Sequence, residues 1–254
     1  MAKSVSCLDL FEKPLPVFRC ELRQHATNRL SVFVHVPKTA GSSVQRDLRR
    51  NFESGFQVDW QCIDQSWLQF LKMQKRSGYH HVRGHISWQQ IKQLRQAGIA
   101  YHAFSFLRHP VDRVMSNYAY CVSEASPCSA ENREKYPSLS DFLADNLERN
   151  HMTGLLVGQC SSYEQAIERL STEYSFIGVT EFFELGQQVI LPALGGQYQS
   201  LPRVNVTPTG RSFRVADGTI NQIMESQAID LEVFEFFQNQ YRQLQERTNV
   251  ASAA

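Results

Sequence analysis

Residues 30–50, LSVFVHVPKTAGSSVQRDLRR, decide how the rest of the chain is interpreted. The stretch opens with an apolar run rich in β-branched residues, which predicts a buried strand of a parallel sheet over residues 30–36. Pro37 ends this run, and residues 38–43 form a short loop of small and hydroxyl-bearing residues after a lysine. A helix is expected next, because apolar residues recur every four positions from Val44 onward.

A strand, a small-residue loop with a lysine and a helix start are together typical of an anion-binding site. The first backbone N–H groups of a helix have no partner within it, and the positive end of its dipole lies there. Lys38 adds a point charge suited to phosphate or sulfate. An ordinary strand–helix turn needs neither this lysine nor the neighbouring hydroxyls. The loop is not a Walker A motif, because Lys38 precedes Gly41 instead of following the second glycine of that motif.

Composition limits the classes of protein to consider. The 254 residues, 42% of them hydrophobic, suffice for one large α/β domain or two small ones. A formal net charge of +1 gives no excess for binding nucleic acid, so we expect no nucleic-acid partner. No apolar stretch reaches the ~18–20 residues of a membrane span, and the N-terminus lacks the apolar region of a signal peptide. We therefore expect a cytoplasmic protein.

Six cysteines, at positions 7, 20, 62, 121, 128 and 160, are too sparse for a disulfide framework. Cys121 and Cys128 flank a polar loop and could pair in an oxidising compartment, but we interpret them as free thiols. No zinc-type spacing occurs. The clustered His80, His81 and His85 have no nearby carboxylate or cysteine to complete a ligand set, so no metal site is expected.

Two further strand ends carry residues with chemical potential. His85 follows a short predicted strand and precedes a helix that Ser87 and Gln90 open as a capping box, whereas His80 and His81 read as surface residues of a loop. Residues 100–107 predict a second strong buried strand. Arg108 stands at its end, and Pro110 suits the first position of a helix that carries Ser116 two turns along. Ligands bind at the carboxyl edge of such sheets.

The segment HVPKTAGSS closely resembles the loop that binds the 5′-phosphosulfate of PAPS, the sulfuryl donor 3′-phosphoadenosine 5′-phosphosulfate, in carbohydrate sulfotransferases. FLRHPVDRVMSNY resembles the 3′-phosphate motif of the same enzymes. The resemblance implies that the donor is held by Lys38, Thr39, Ala40, Gly41, Ser42, Ser43, Arg108 and Ser116. An arginine fork and a hydroxyl suit phosphate oxygens, which fits this implication. The likeness extends over about residues 30–245.

Gly84-His85-Ile86-Ser87-Trp88 is similar to a Gly-His-Val-Ser-Tyr segment of the uronyl 2-O-sulfotransferases, whose histidine is the proposed catalytic base. The resemblance therefore implies His85 as the base, with Lys38 as the second catalytic residue. That family has another histidine two positions earlier, where this chain has Arg83, so Arg83 is expected near the acceptor. A basic loop commonly closes over the nucleotide in this family, which makes Arg211 and Arg214 candidates for donor contacts.

The prediction for the whole chain is a single α/β domain, a P-loop-like three-layer sandwich with a central parallel sheet. We expect an irregular N-terminal arm over residues 1–29, the sulfotransferase domain over residues 30–246 and a disordered tail over residues 247–254. A loop with one short helix is expected for residues 52–78, a polar loop for residues 121–137, a strand for residues 174–180 and one long helix for residues 219–246.

The expected activity is transfer of a sulfuryl group from PAPS to a hydroxyl, or an amine, of a glycan or small-molecule acceptor, without a metal. Two alternatives stay open at this point. One is a P-loop kinase that transfers phosphate from ATP, which the order of the loop residues disfavours. The other is a nucleotide-binding protein without catalysis, which the presence of His85 disfavours.

Overall fold

A computed structural model of the chain describes residues 5–59, 61–200 and 217–253. Its strands are β1 (Leu30–Val34), β2 (Gly55–Gln57), β3 (His81–Gly84), β4 (Tyr101–Leu107) and β5 (Tyr174–Val179). They form one sheet in the order β2-β3-β1-β4-β5, and every neighbouring pair is parallel. The predicted central parallel sheet is thereby confirmed.

Helices connect the strands and cover the sheet. They are α1 (Asp9–Glu12), α2 (Leu15–Ala26), α3 (Gly41–Asn51), α4 (Ile63–Ser77), α5 (Trp88–Gln96), α6 (Pro110–Cys121), α7 (Ser129–Lys135), α8 (Leu139–Asn146), α9 (His151–Val157), α10 (Tyr163–Glu173), α11 (Phe183–Ala193), α12 (Asp217–Ser226) and α13 (Ala228–Ala253), with a 3₁₀ turn at Thr180–Phe182. All residues of β1, β3 and β5 are buried. Since alternate residues of a strand point to opposite faces, both faces of the sheet are covered, which makes the predicted three-layer α/β sandwich.

Four local predictions are wrong. The N-terminal segment is helical instead of irregular, because Pro14 and Pro16 lie at the start of α2, where proline is tolerated. The short edge strand β2 was missed, and α4 is longer than expected, with 15 residues. The polar loop after α6 contains α7. The last predicted helix is divided at Gln227 into α12 and α13, and α13 continues to Ala253, past the boundary expected at residue 246.

Within the described ranges, none of the helices is both long and apolar enough to cross a membrane. In the same ranges, no three His, Cys, Asp or Glu side chains are grouped as ligands of a metal ion would be. All six cysteines, Cys121 and Cys128 among them, are free thiols in the structure.

Candidate functional site

The topology brings three chain segments to one edge of the sheet. β1 lies between β3 and β4, and Val34 is paired with Gly84 on one side and Ser105 on the other. The loop before α3, the segment at His85 and the segment at Arg108 therefore leave the same carboxyl edge. From β1 the chain first builds β2 and β3 on one side and then crosses to β4 on the other, so β1 marks the switch point where open α/β sheets bind ligands.

The loop after β1 holds a strained backbone. Lys38 and Ala40 have φ values of 70° and 63°, in the left-handed region that costs a residue with a side chain about 1–3 kcal/mol. Ala40 is the N-cap of α3, and no side chain caps that helix end among the described residues. The first helical N–H groups to bond backward are those of Ser43 and Val44, which both donate to the Ala40 carbonyl. The N–H groups before them are directed out of the helix start.

The hydroxyl groups of this loop are not equivalent. Thr39 is fully buried, and its Oγ1 donates to the Val36 carbonyl at 2.9 Å, so this hydroxyl supports the loop from beneath. Ser43 is also buried, whereas Ser42 is exposed. Of the three hydroxyls, the one on Ser42 is open to a ligand, and Thr39 can contribute through its backbone N–H group, whereas the N–H of Ser43 already donates to the Ala40 carbonyl.

Lys38 and Arg108 meet at the start of α3, although 70 positions separate them in the sequence. A guanidinium nitrogen of Arg108 donates to the Lys38 carbonyl at 3.3 Å. Burial, followed by the charge of Arg108, lowers the pKa of the Lys38 ammonium. Its Nζ lies 4.2 Å from the ring centroid of Tyr120, a cation–π contact from the end of α6. Ser116 is buried on the same helix, one turn before Tyr120.

His85 lies against a second histidine that the sequence analysis did not single out. The rings of His35 and His85 are stacked, with centroids 4.4 Å apart and planes inclined by 25°. Nδ1 of His35 is 3.0 Å from the amide nitrogen of Gln45, on α3. Gly41 lies directly against the other side of His35, since a Cβ at position 41 would be 1.8 Å from Cδ2 and Nε2 of that ring.

Burial is the main reason why both imidazoles favour the neutral form. It lowers the pKa of His85, against a hydrogen bond to the His35 backbone that raises this pKa, and the charge of His151 lowers it further. The pKa of His35 is lowered to about 3, first by burial and then by the charges of His85 and Lys38. His151, at the start of α9, contacts the carboxylate of Glu148.

Arg83 is buried on β3, and its guanidinium donates to Nε2 of His81 two positions back along the strand. His81 is therefore buried in the sheet, and the prediction of a surface residue is wrong for it, while His80 is exposed as expected. Burial, with the neighbouring charge of Arg83, lowers the pKa of His81 to about 4. Arg211 and Arg214 lie outside the described residues.

Sequence reasoning missed His35, Gln45, Tyr120 and His151. The one available signal was His35 itself, a polar residue within the apolar run that precedes Pro37. The other three contribute through contacts between elements far apart in the sequence, which no local pattern indicates.

Comparison with known proteins gives a family match that spans most of the chain. A family model described as the sulfotransferase family matches residues 26–242. Among solved structures, mouse sulfotransferase SULT7A1 complexed with PAP is similar at 14% identity and a TM-score of 0.42, over 83% of this chain and 67% of that one. No curated protein matches the chain.

Proposed function

The chain belongs to the sulfotransferase family, and from this premise we propose that it transfers a sulfuryl group from PAPS to a hydroxyl or amine of a glycan or small-molecule acceptor, with His85 as the base. In this reaction the acceptor oxygen or nitrogen forms a bond to sulfur. The bond from sulfur to the bridging oxygen breaks, PAP (adenosine 3′,5′-bisphosphate) leaves, and the acceptor proton passes to His85.

The observation that carries the proposal is the meeting of Lys38 and Arg108 at an uncapped helix start. Neither cation forms an ion pair with a carboxylate among the described residues. Burial, and after it the charge of Arg108, lowers the pKa of Lys38, so the two partly buried cations also repel each other. An anion with charge on two sides, such as a nucleotide with two phosphate groups, relieves this repulsion. The strained loop around Lys38 and Ala40 supports the same interpretation.

On this proposal, the backbone N–H groups of residues 39–42 hold the 5′-phosphate of the donor. Ser43, whose N–H donates to the Ala40 carbonyl, supports the start of α3 beneath it. Arg108 and Ser116 grip the 3′-phosphate and so select PAPS over ordinary adenine nucleotides. Lys38 stabilises the charge that develops on the bridging oxygen as PAP leaves. Sulfuryl transfer, like phosphoryl transfer, then depends mainly on positioning and on electrostatic stabilisation, which these residues supply.

His85 suits a base because it is neutral near pH 7. A base must be unprotonated before it accepts the acceptor proton, and the lowered pKa of His85 keeps it so. Arg83 stands two residues earlier, on β3, where the 2-O-sulfotransferases have a histidine. We propose that it contributes to the acceptor side of the site, with His81 as its neighbour inside the sheet.

Thermal-shift measurements with PAP, AMP, ADP and ATP test donor recognition. PAP and AMP differ only in the 3′-phosphate, so wild-type protein should be stabilised by PAP far more than by AMP. At one hundred times its Kd, PAP should add about 2.7 kcal/mol, a shift of about 5–10 °C. Arg108→Ala should lose the preference for PAP, while Arg133→Ala, an exposed arginine of α7, should keep it. Stabilisation by ATP alone would favour the kinase alternative and contradict the proposal.

Transfer of labelled sulfate to a panel of acceptors, with mass detection of the added group, tests catalysis. His85→Ala should lower the rate by about 10²–10⁴-fold and leave PAP binding nearly intact. The exposed His80 provides the matched control, and His80→Ala should transfer sulfate at the wild-type rate. If the His85 variant keeps the wild-type rate, His85 is not the base. Binding of PAP without transfer to any acceptor class would favour the non-catalytic alternative.

A further inference from the structure

The contact between His35 and His85 has no role in the proposed reaction as described above. Stacked rings with centroids 4.4 Å apart are in full van der Waals contact. His35 also lies nearly parallel to Phe33, with centroids 5.9 Å apart and planes inclined by 15°. One face of the His85 ring is therefore covered by a side chain that β1 and the helix start hold in place.

The hydrogen bond to Gln45 defines the form of the His35 ring. An amide nitrogen can only donate, so Nδ1 of His35 accepts at 3.0 Å and the ring proton resides on Nε2. Gly41 packs closely against the same ring, since a Cβ at this position would lie 1.8 Å from Cδ2 and Nε2 and 2.5 Å from Cγ. Rotation of His35 is thus blocked from two sides, and protonation at Nδ1 would break the bond to Gln45.

The charges around the two rings favour the same form. Lys38 lies near His35 on the loop after β1, and His151 acts on His85 from the start of α9, where Glu148 contacts it. Arg83 lies on β3, two residues before His85, which follows the end of that strand. A charge on His35 would add repulsion with Lys38, and a ring that stays neutral avoids it.

We infer that His35 is a positioning residue for His85, an uncharged ring that fixes the plane of the base and remains neutral when the base gains a proton. This inference rests on the proposed function, since it assigns a support to the base of that reaction. As the acceptor loses its proton, His85 becomes an imidazolium and faces the π system of a neutral ring, which is a favourable cation–π arrangement. No proton passes to His35.

The test is an NMR titration of the imidazole nitrogens in the full chain, with and without PAP, in wild type, His35→Ala, His35→Phe and Gln45→Met. In wild type, His35 should stay in the Nε2–H form throughout pH 5–8. In His35→Ala, water reaches the base and the pKa of His85 should move toward its ordinary value of 6.5. His35→Phe keeps an uncharged ring, so the pKa of His85 should stay below that value.

Kinetics provide the second readout. The rate constant kcat should fall about 10–100-fold in His35→Ala with little change in KM for PAPS, and His35→Phe should recover most of the loss. Gln45→Met should populate the Nδ1–H form of His35, which a merely structural role for His35 would not require. The inference is overturned if His85 titrates identically in wild type and His35→Ala, or if His35→Phe is as slow as His35→Ala.

The NMR experiment separates this inference from the proposed function. If wild type fails to bind PAP but His85 still titrates differently in His35→Ala, the proposed function fails and the coupling of the two rings stands. If PAP binds normally and the titration of His85 is unaffected by the loss of His35, the inference fails alone. If His35→Ala does not fold, the comparison of His35→Phe with wild type decides. His35→Phe should keep the pKa of His85 below 6.5 and most of the wild-type kcat, and a pKa of His85 at its ordinary value or a kcat about 100-fold below wild type would overturn the inference.

Discussion

Substitution of Gly41 by alanine should push the ring of His35 away from the start of α3. A Cβ at position 41 would lie 1.8 Å from two atoms of His35, whereas ordinary contact begins at 3.4 Å. His35 or the helix start must therefore move by about 1.6 Å. The ring has little freedom to yield, since His85 stacks on it and Gln45 bonds to it.

Overpacking of a well-packed site destabilises a protein by about 1–3 kcal/mol, and this overlap is of that kind. Because the ring is blocked, we expect the upper end of that range, reduced by the ~0.5–1 kcal/mol that alanine gains over glycine in a helix. A net loss of about 2 kcal/mol lowers Tm by about 4–8 °C in a chain of this size. On the proposed function, PAP affinity should fall too, because residue 41 supplies one of the N–H groups assigned to the 5′-phosphate.

Scanning fluorimetry with and without PAP measures both effects. Gly154→Ala is the matched control, because a Cβ at this helical glycine would have no heavy atom within 4 Å, so Tm should stay constant or rise slightly. The double variant His35→Ala/Gly41→Ala removes the ring that the new methyl group meets. Its stability should exceed the additive expectation by about 1–3 kcal/mol. Additive behaviour, or a Gly41→Ala protein as stable as Gly154→Ala, would refute the reasoning.

Three other predictions concern separate parts of the molecule. Lys38→Ala should reduce turnover about 10²–10³-fold, measured by steady-state kinetics, and PAP affinity less than about tenfold, measured by calorimetry. Stability should fall as pH drops below 6.5, because His35 and His102 have pKa values lowered to about 3 and His81 to about 4, all mainly by burial. Between these values and pH 6.5 the unfolded chain binds protons that the folded chain excludes. Each histidine therefore lowers the free energy of unfolding by about 1.4 kcal/mol for each pH unit below 6.5, and Tm should be lower at pH 5.5 than at pH 7.5. Asp230→Ala should cost about 3 kcal/mol in chemical denaturation, because the buried carboxylate accepts the N–H groups of Met152 and Thr153 at 2.8 Å each.

Each of these predictions has a control or a contradicting result. Lys92 is an exposed lysine of α5, and Lys92→Ala should leave turnover unchanged. If Lys38→Ala abolished PAP binding but kept high turnover, Lys38 would not be the residue that stabilises the leaving group. A Tm that is constant from pH 7.5 to 5.5 would mean that the three histidines are not buried in neutral form. Asp112→Ala removes an exposed carboxylate from α6 and should cost no more than ~1 kcal/mol. An equal loss of stability in Asp230→Ala and Asp112→Ala would show that the hydrogen bonds from Met152 and Thr153 to Asp230 do not stabilise the fold as argued.

Much of the fold could be predicted because its strongest strands are apolar and buried on both faces. β1, β4 and β5 lie where continuous apolar runs indicated strands, and the capping box at Ser87 opens α5 as expected. β2 could not be found in this way, because it has three residues, none of them fully buried, and among the strands that the structure describes it pairs with β3 alone. Its pairing is a property of the assembled sheet. Pro14 and Pro16 occupy the N-cap and the second residue of α2, and because proline is common at helix starts, a segment that contains them need not be irregular.

The candidate site was predictable in its chemical groups and less so in its contacts. Lys38, His85 and Arg108 follow strands that are recognisable in the sequence, and parallel strands end at one edge. The pairing of His35 with His85 depends on β1 lying next to β3, which no pattern within either segment specifies. The cation–π contact of Lys38 with Tyr120 likewise requires α6 to return toward the loop after β1.

The pairing of Val34 with Gly84 has a consequence for how this enzyme can diversify. On the proposed function, the loop that holds the donor and His85 as the base follow adjacent strands of one hydrogen-bonded ladder, and the strand spacing is about 4.8 Å. Neither can shift without the other, so the distance between leaving group and base is inherited with the sheet. New acceptors must then be accommodated by side chains and loops around this fixed pair, and acceptor preference can evolve while the transfer chemistry stays constant.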